Sequence, residues 1–105
     1  MTSPSQLLIG CWHLDHADPA LDMNEPVEME FKPDGQLIYA VEAGSKWQIM
    51  RLTFRVDGST LVTNQPSAPQ EERTAFSLEG HDRLLLDYGG AKASFTRGSR
   101  RAPAV

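Results

Sequence analysis

At 105 residues and 40% hydrophobic, the chain has apolar material for one domain around one core and too little for several. Its formal net charge is −4 with both signs interspersed, and the only basic cluster is Arg97, Arg100 and Arg101 near the end, so a nucleic-acid partner is not expected. Cys11 is the sole cysteine and no apolar run approaches the ~20 residues of a membrane-spanning helix, which argues against both a disulfide scaffold and a helical membrane protein.

Met1 to Gln6 reads as a loose polar lead-in. Leu8-Ile9-Gly10-Cys11 looks like a lipid-attachment box. However, no Lys or Arg precedes it, and the apolar run of Leu7, Leu8 and Ile9 falls short of the about 7–15 residues of a secretory signal. The expectation is therefore a reduced, cytoplasmic protein. Leu8 to Leu14 is the first predicted strand, with Leu8, Gly10, Trp12 and Leu14 on the core face. His16 to Glu25 reads as a loop around Asp18-Pro19 and Asn24, with room for one helical turn at Ala20 to Met23.

From Val27 the chain alternates in hairpins. Val27, Met29 and Phe31 face inward, Pro33-Asp34-Gly35 turns, and Gln36 to Ala43 returns with Leu37, Tyr39 and Val41 on one face. Ala43-Gly44-Ser45 leads into Lys46 to Val56, the longest predicted strand. There Met50, Leu52 and Phe54 are out of phase with Trp47 and Ile49. Either a bulge shifts the phase near Ile49–Met50, or Trp47 and Ile49 lie on the outer face. Asp57-Gly58 is a strong hairpin signal, with Leu61 to Asn64 pairing back across it. Gln65 to Gln70 carries two prolines and is read as a link. Glu71 to Leu78 resumes alternation with Glu72, Thr74, Phe76 and Leu78 inward. Leu84 to Tyr88, the Gly89-Gly90 turn and Ala91 to Arg97 complete the set, and Gly98 to Val105 reads as a frayed tail.

Eight short strands joined by turns, with no sustained helical period, predict an all-β domain over 1–105, ordered over about 7–98. The preferred architecture is an eight-stranded antiparallel up-and-down meander closed into a small β-barrel, which removes exposed sheet edges. A two-sheet sandwich uses the same alternation and stays open as the alternative.

Gly10-x-Trp12 near the start of the first strand, Phe95-Thr96-Arg97 at the end of the last, and the hairpin series between them resemble the lipocalin and calycin group. The resemblance is closer to the small bacterial lipocalin-like domains. It implies that Trp12 packs at the closed end of the barrel and that Arg97 lies across its ring, with Gly10 beside them. Such a contact is worth about 0.5–2 kcal/mol. The chain is shorter than a typical lipocalin and shows no C-terminal helix, which implies a shallow cup and a compact ligand.

Three constellations bear on chemistry. Cys11, His13, Asp15 and His16 are metal-ligand residue types, but no second pair with metal spacing accompanies them, so neither metal nor cofactor is expected. Gln65 to Thr74 is polar and proline-rich, with Glu72 projecting inward near a rim; Arg51, Arg55 and Arg73 are its candidate partners. The inner aromatic and Met set is either a packed core or a pocket lining. The binding reading takes Phe31, Tyr39, Phe54, Phe76 and Tyr88 around a compact apolar ligand, with Glu72 and Arg73 orienting it. No nucleophile elbow or phosphate loop is present, so a non-enzymatic protein is expected. The competing reading is an interaction module or homodimer that uses an outward Trp47–Ile49 pair over a packed barrel.

Overall fold

A computed structural model of the chain describes residues 4–21, 26–66 and 71–98. A helix α1 (Pro4–Leu8) precedes β1 (Gly10–Ala17), which a 3-10 turn (Pro19–Leu21) follows. Seven further strands come in order: β2 (Val27–Phe31), β3 (Gln36–Ala43), β4 (Lys46–Asp57), β5 (Thr60–Asn64), β6 (Glu71–Glu79), β7 (Arg83–Tyr88) and β8 (Ala91–Arg97). Each strand pairs antiparallel with the next, and β8 returns to β1, so the sheet is a closed barrel in meander order. The register from Trp12↔Arg97 to Ala17↔Ala93 makes that closure and rules out the open sandwich. No helix among the described residues is long and apolar enough to cross a membrane.

The hairpins form where period-2 patterning meets turn chemistry. Gly58 takes a φ of +62° between β4 and β5, a conformation Gly adopts without a Cβ penalty. β4 keeps one phase throughout, pairing with β3 from Gln36↔Thr53 to Ala43↔Lys46 without a bulge. Trp47 and Ile49 therefore lie on the outer face. The irregularity falls in β1 instead, where the register with β8 shifts between Leu14 and His16. The extra residue, Asp15, leaves Leu14 opposite Phe95 and His16 opposite Ser94, so His16 is part of the strand rather than just beyond it.

Two boundaries differ from the sequence reading. The lead-in is not loose, because Pro4–Leu8 is helical, and β1 starts at Gly10 rather than Leu8. Leu8 is nonetheless fully buried, so its apolar side chain serves the core from a helix end instead of a strand. The strand also runs on through His16 and Ala17, residues read as loop, because the bulge lets it continue pairing with β8. Met23 of the expected helical turn, residues 67–70 of the polar link and residues 99–105 of the tail lie outside the described residues.

The core is built from the inward faces: Trp12, Met29, Phe31, Leu37, Leu84 and Phe95 are among its buried members. Parts of the outer face are covered as well. Val62 lies between Arg55 and Arg73 on the neighbouring strands and is only 3% exposed. The long aliphatic stems of such side chains cover apolar surface while their heads stay wet.

One end of the barrel is shut by Arg97. Its guanidinium carbon sits 4.2 Å from the centre of the Trp12 ring. Nε donates to the His81 carbonyl (2.8 Å), Nη1 to that of Ile9 (2.8 Å) and Nη2 to that of Leu7 (2.7 Å). Trp12 Nε1 donates in turn to the Leu8 carbonyl at 2.9 Å. A charged donor fork thus satisfies carbonyls at the helix end and in the β6–β7 turn, while its flat face covers the indole. Gly10 makes room for it: at φ +127°, a Cβ there would stand 2.6 Å from Arg97 Nη1. Gly10→Ala should destabilise the fold by about 2 kcal/mol, because steric and backbone strain coincide. Urea denaturation checks this, and an unchanged midpoint would contradict it.

Candidate functional site

The opposite end of the barrel stays open. Tyr88, the last residue of β7, and Met50, midway along β4, face inward there but remain 37% and 42% exposed. Behind them lies a cavity of about 290 Å³. Its walls are Met29, Leu37, Met50, Leu52, Leu61 and Leu86, contributed by β2, β3, β4, β5 and β7. Its polar groups are Tyr39, Thr63, Glu72, Thr74 and Tyr88. Small-molecule sites commonly run to roughly 300–1,000 Å³, and an engineered cavity of about 150 Å³ accommodates benzene. The present space thus suits a molecule of about one or two fused rings.

The seven residues expected around a ligand divide by depth and by face. Tyr39, Glu72 and Tyr88 line the cavity together. Phe31 and Phe54 do not. They pack against each other edge to face, with centroids 5.0 Å apart and planes at 87°, as part of the core. Phe76 is half-buried against that core and is not among the lining residues. Arg73 is on the outer face, because it neighbours the inward Glu72 on a strand of period two. Its guanidinium reaches Asp57 and Glu71, each at 3.4 Å, and Arg55 also pairs with Glu71 at 3.4 Å. These are exposed pairs of small energetic weight. The partners suggested for Glu72 are thus engaged elsewhere or turned outward.

The sequence reading passed over the aliphatic walls. Leu37, Leu52, Leu61 and Leu86 share the inward parity of the aromatics, which was the available signal; their position along the barrel axis was not.

The electrostatics of the mouth centre on its two phenols, which are the only tyrosines of the chain. Burial raises the Tyr39 hydroxyl above its ordinary value of 10.0. Tyr88 is pushed up to about 12, first by burial, then by the nearby Tyr39 and by the Glu72 carboxylate. Residues from β3, β6 and β7 therefore converge on one space. The Cys11–His16 segment lies elsewhere: His13 Nδ1 is 3.3 Å from Glu28 on the outer face of β1 and β2. Among the described residues no group of three or more His, Cys, Asp or Glu side chains is gathered as a metal site.

No protein-family model and no curated protein matches the sequence. The barrel is similar to the crystal structure of a lipocalin-like protein from Bacteroides uniformis, with a TM-score of 0.71 and 14% identity. The match covers 88% of this chain and 99% of that one. The fold is lipocalin-like; at that identity the similarity concerns the fold alone.

The raised phenols have a measurable consequence. An unfolded chain releases its tyrosine protons near the ordinary 10.0, while the folded chain still holds that of Tyr88 up to about 12. Their contribution to stability is therefore intact below that ordinary value and is lost as pH climbs towards the folded one. An absorbance titration of the folded protein should show no phenolate step at the ordinary value, and Tyr88→Phe should soften the alkaline loss of stability. A full step for both tyrosines at the ordinary value would contradict this.

Proposed function

We propose that this protein is a non-enzymatic carrier of a compact, mainly apolar small molecule, held in the cavity at the open end of the barrel. The observation that carries this reading is the aliphatic cavity of about 290 Å³, open past Met50 and Tyr88. Apolar walls with a few convergent polar groups are the usual make-up of a ligand site. The polar groups of the lining, Tyr39, Thr63, Glu72, Thr74 and Tyr88, offer hydrogen bonds among aliphatic walls. Tyr39, Glu72 and Tyr88 are the polar contacts, and Phe31 and Phe54 support the floor from the core. The similarity of fold to a lipocalin-like protein agrees with this use without specifying a ligand. The proposal places the carrier in the cytoplasm, the default compartment for a chain without a pair of cysteines.

A second reading, compatible with the first, rests on β4. β3 pairs with β4 from Lys46 to Thr53 and β5 pairs with it from Thr53 to Asp57, so the edge of Lys46 to Leu52 that faces away from β3 has no strand beside it among the described residues. Trp47 and Ile49 lie on the outer face of that half, both partly exposed. A strand edge with an apolar pair beside it is a template for a second copy of the chain, giving a symmetric dimer.

Native mass spectrometry of the full chain from its host tests the carrier reading. A small-molecule adduct of defined mass is expected on the wild type and absent from Thr74→Trp, which fills the cavity. A clean unliganded wild-type mass would overturn the reading. In the same experiment Trp47→Ser should shift a dimer to a monomer, and an unchanged mass would remove the dimer.

A further inference from the structure

The charge of the cavity is one-sided. Among the described residues Glu72 is the one carboxylate side chain in the lining, beside the phenols of Tyr39 and Tyr88. Among the described residues no Lys, Arg or His lines the space. This follows from parity. Arg51, Arg55 and Arg73 occupy outward positions on β4 and β6, and the last two are drawn to Glu71 and Asp57 on the outside. Among the described residues no ion pair reaches Glu72 from within the barrel.

The consequence for a ligand is direct. Glu72 is exposed at the mouth, so a carboxylate or phosphate entering there meets a partly screened like charge and, among the described lining residues, no counter-charge. A cation meets the opposite. Its charge lies against Glu72, and the faces of Tyr39 and Tyr88 add the attraction that aromatic rings exert on ammonium groups.

We propose that the ligand is a compact organic cation, an amine of about one or two rings, with its ammonium on Glu72 between Tyr39 and Tyr88 and its apolar body against Leu37, Leu61 and Leu86. This assignment rests on the carrier reading and narrows it. Glu72 selects the charge, and the aliphatic walls select the size.

Calorimetry of the full chain at neutral pH with three probes of one shape separates the two claims. The probes are naphthylmethylamine as the cation, naphthylmethanol as the neutral analogue and naphthoate as the anion. The amine should bind about tenfold more tightly than the alcohol, as a charge-assisted contact implies, with the anion weakest. Glu72→Gln should remove the advantage of the amine over the alcohol. Equal affinities for all three probes, or an amine preference that persists in Glu72→Gln, would overturn the charge assignment while the carrier reading stands. Binding of none of them would overturn both.

Discussion

The structure depends on the contact of Arg97 with Trp12. A barrel of eight strands must join its first strand to its last, and here that seam also bears the plug. One guanidinium covers the indole and donates to three carbonyls, which belong to Leu7, Ile9 and His81. Each of those carbonyls is at or near an element end, where backbone acceptors lack partners in regular structure. A neutral side chain of the same length would leave them unmet, and a lysine would lack the flat fork that reaches three of them at once. The absent side chain at Gly10 is part of the same arrangement.

Shutting one end decides what the other can be. The bulky residues Trp12, Phe31, Phe54 and Phe95 belong to the core. The thinner Leu and Thr side chains are left to surround the space behind Tyr88 and Met50. The polar character of the mouth follows from parity too. On β6, Glu72 and Thr74 face in while Glu71 and Arg73 face out, so adjacent residues of opposite charge end on opposite sides of one sheet. Arg55 and Arg73 pair on the exterior, and Glu72 lies exposed at the mouth on the other side of the sheet.

Much of this was legible from the residues, and the failures have physical causes. Turn chemistry at Pro33-Asp34-Gly35, Asp57-Gly58 and Gly89-Gly90 placed the hairpins, and alternation placed the inner faces. Alternation also required Arg73 to point outward once Glu72 pointed inward; naming both as rim groups set a loop-like reading above the strand period. Depth was not legible. Phe31 and Tyr39 share an inner face, yet one is core and the other mouth, because strand tilt and stagger set height along the axis and neither appears in a one-dimensional pattern. The helix at Pro4–Leu8 is too short to show a period, and its Leu8 is held by tertiary burial. The bulge after Leu14 inserts one residue without a Gly or Pro to announce it.

The seam between β1 and β8 also sets an order of events during synthesis. Strand β1 finds one of its two neighbours, β2, early, but its other neighbour, β8, comes after all the other strands of the barrel. Until Arg97 has emerged, Trp12 lacks its cover and the edge of β1 that will receive β8 is bare. Closure joins residues some ninety positions apart, a loop that is slow to close and exposed to wrong pairing in the interval. The barrel is therefore exposed to wrong pairing until β8 is available, and a truncation that removes β8 bares the edges of β1 and β7 that it joins.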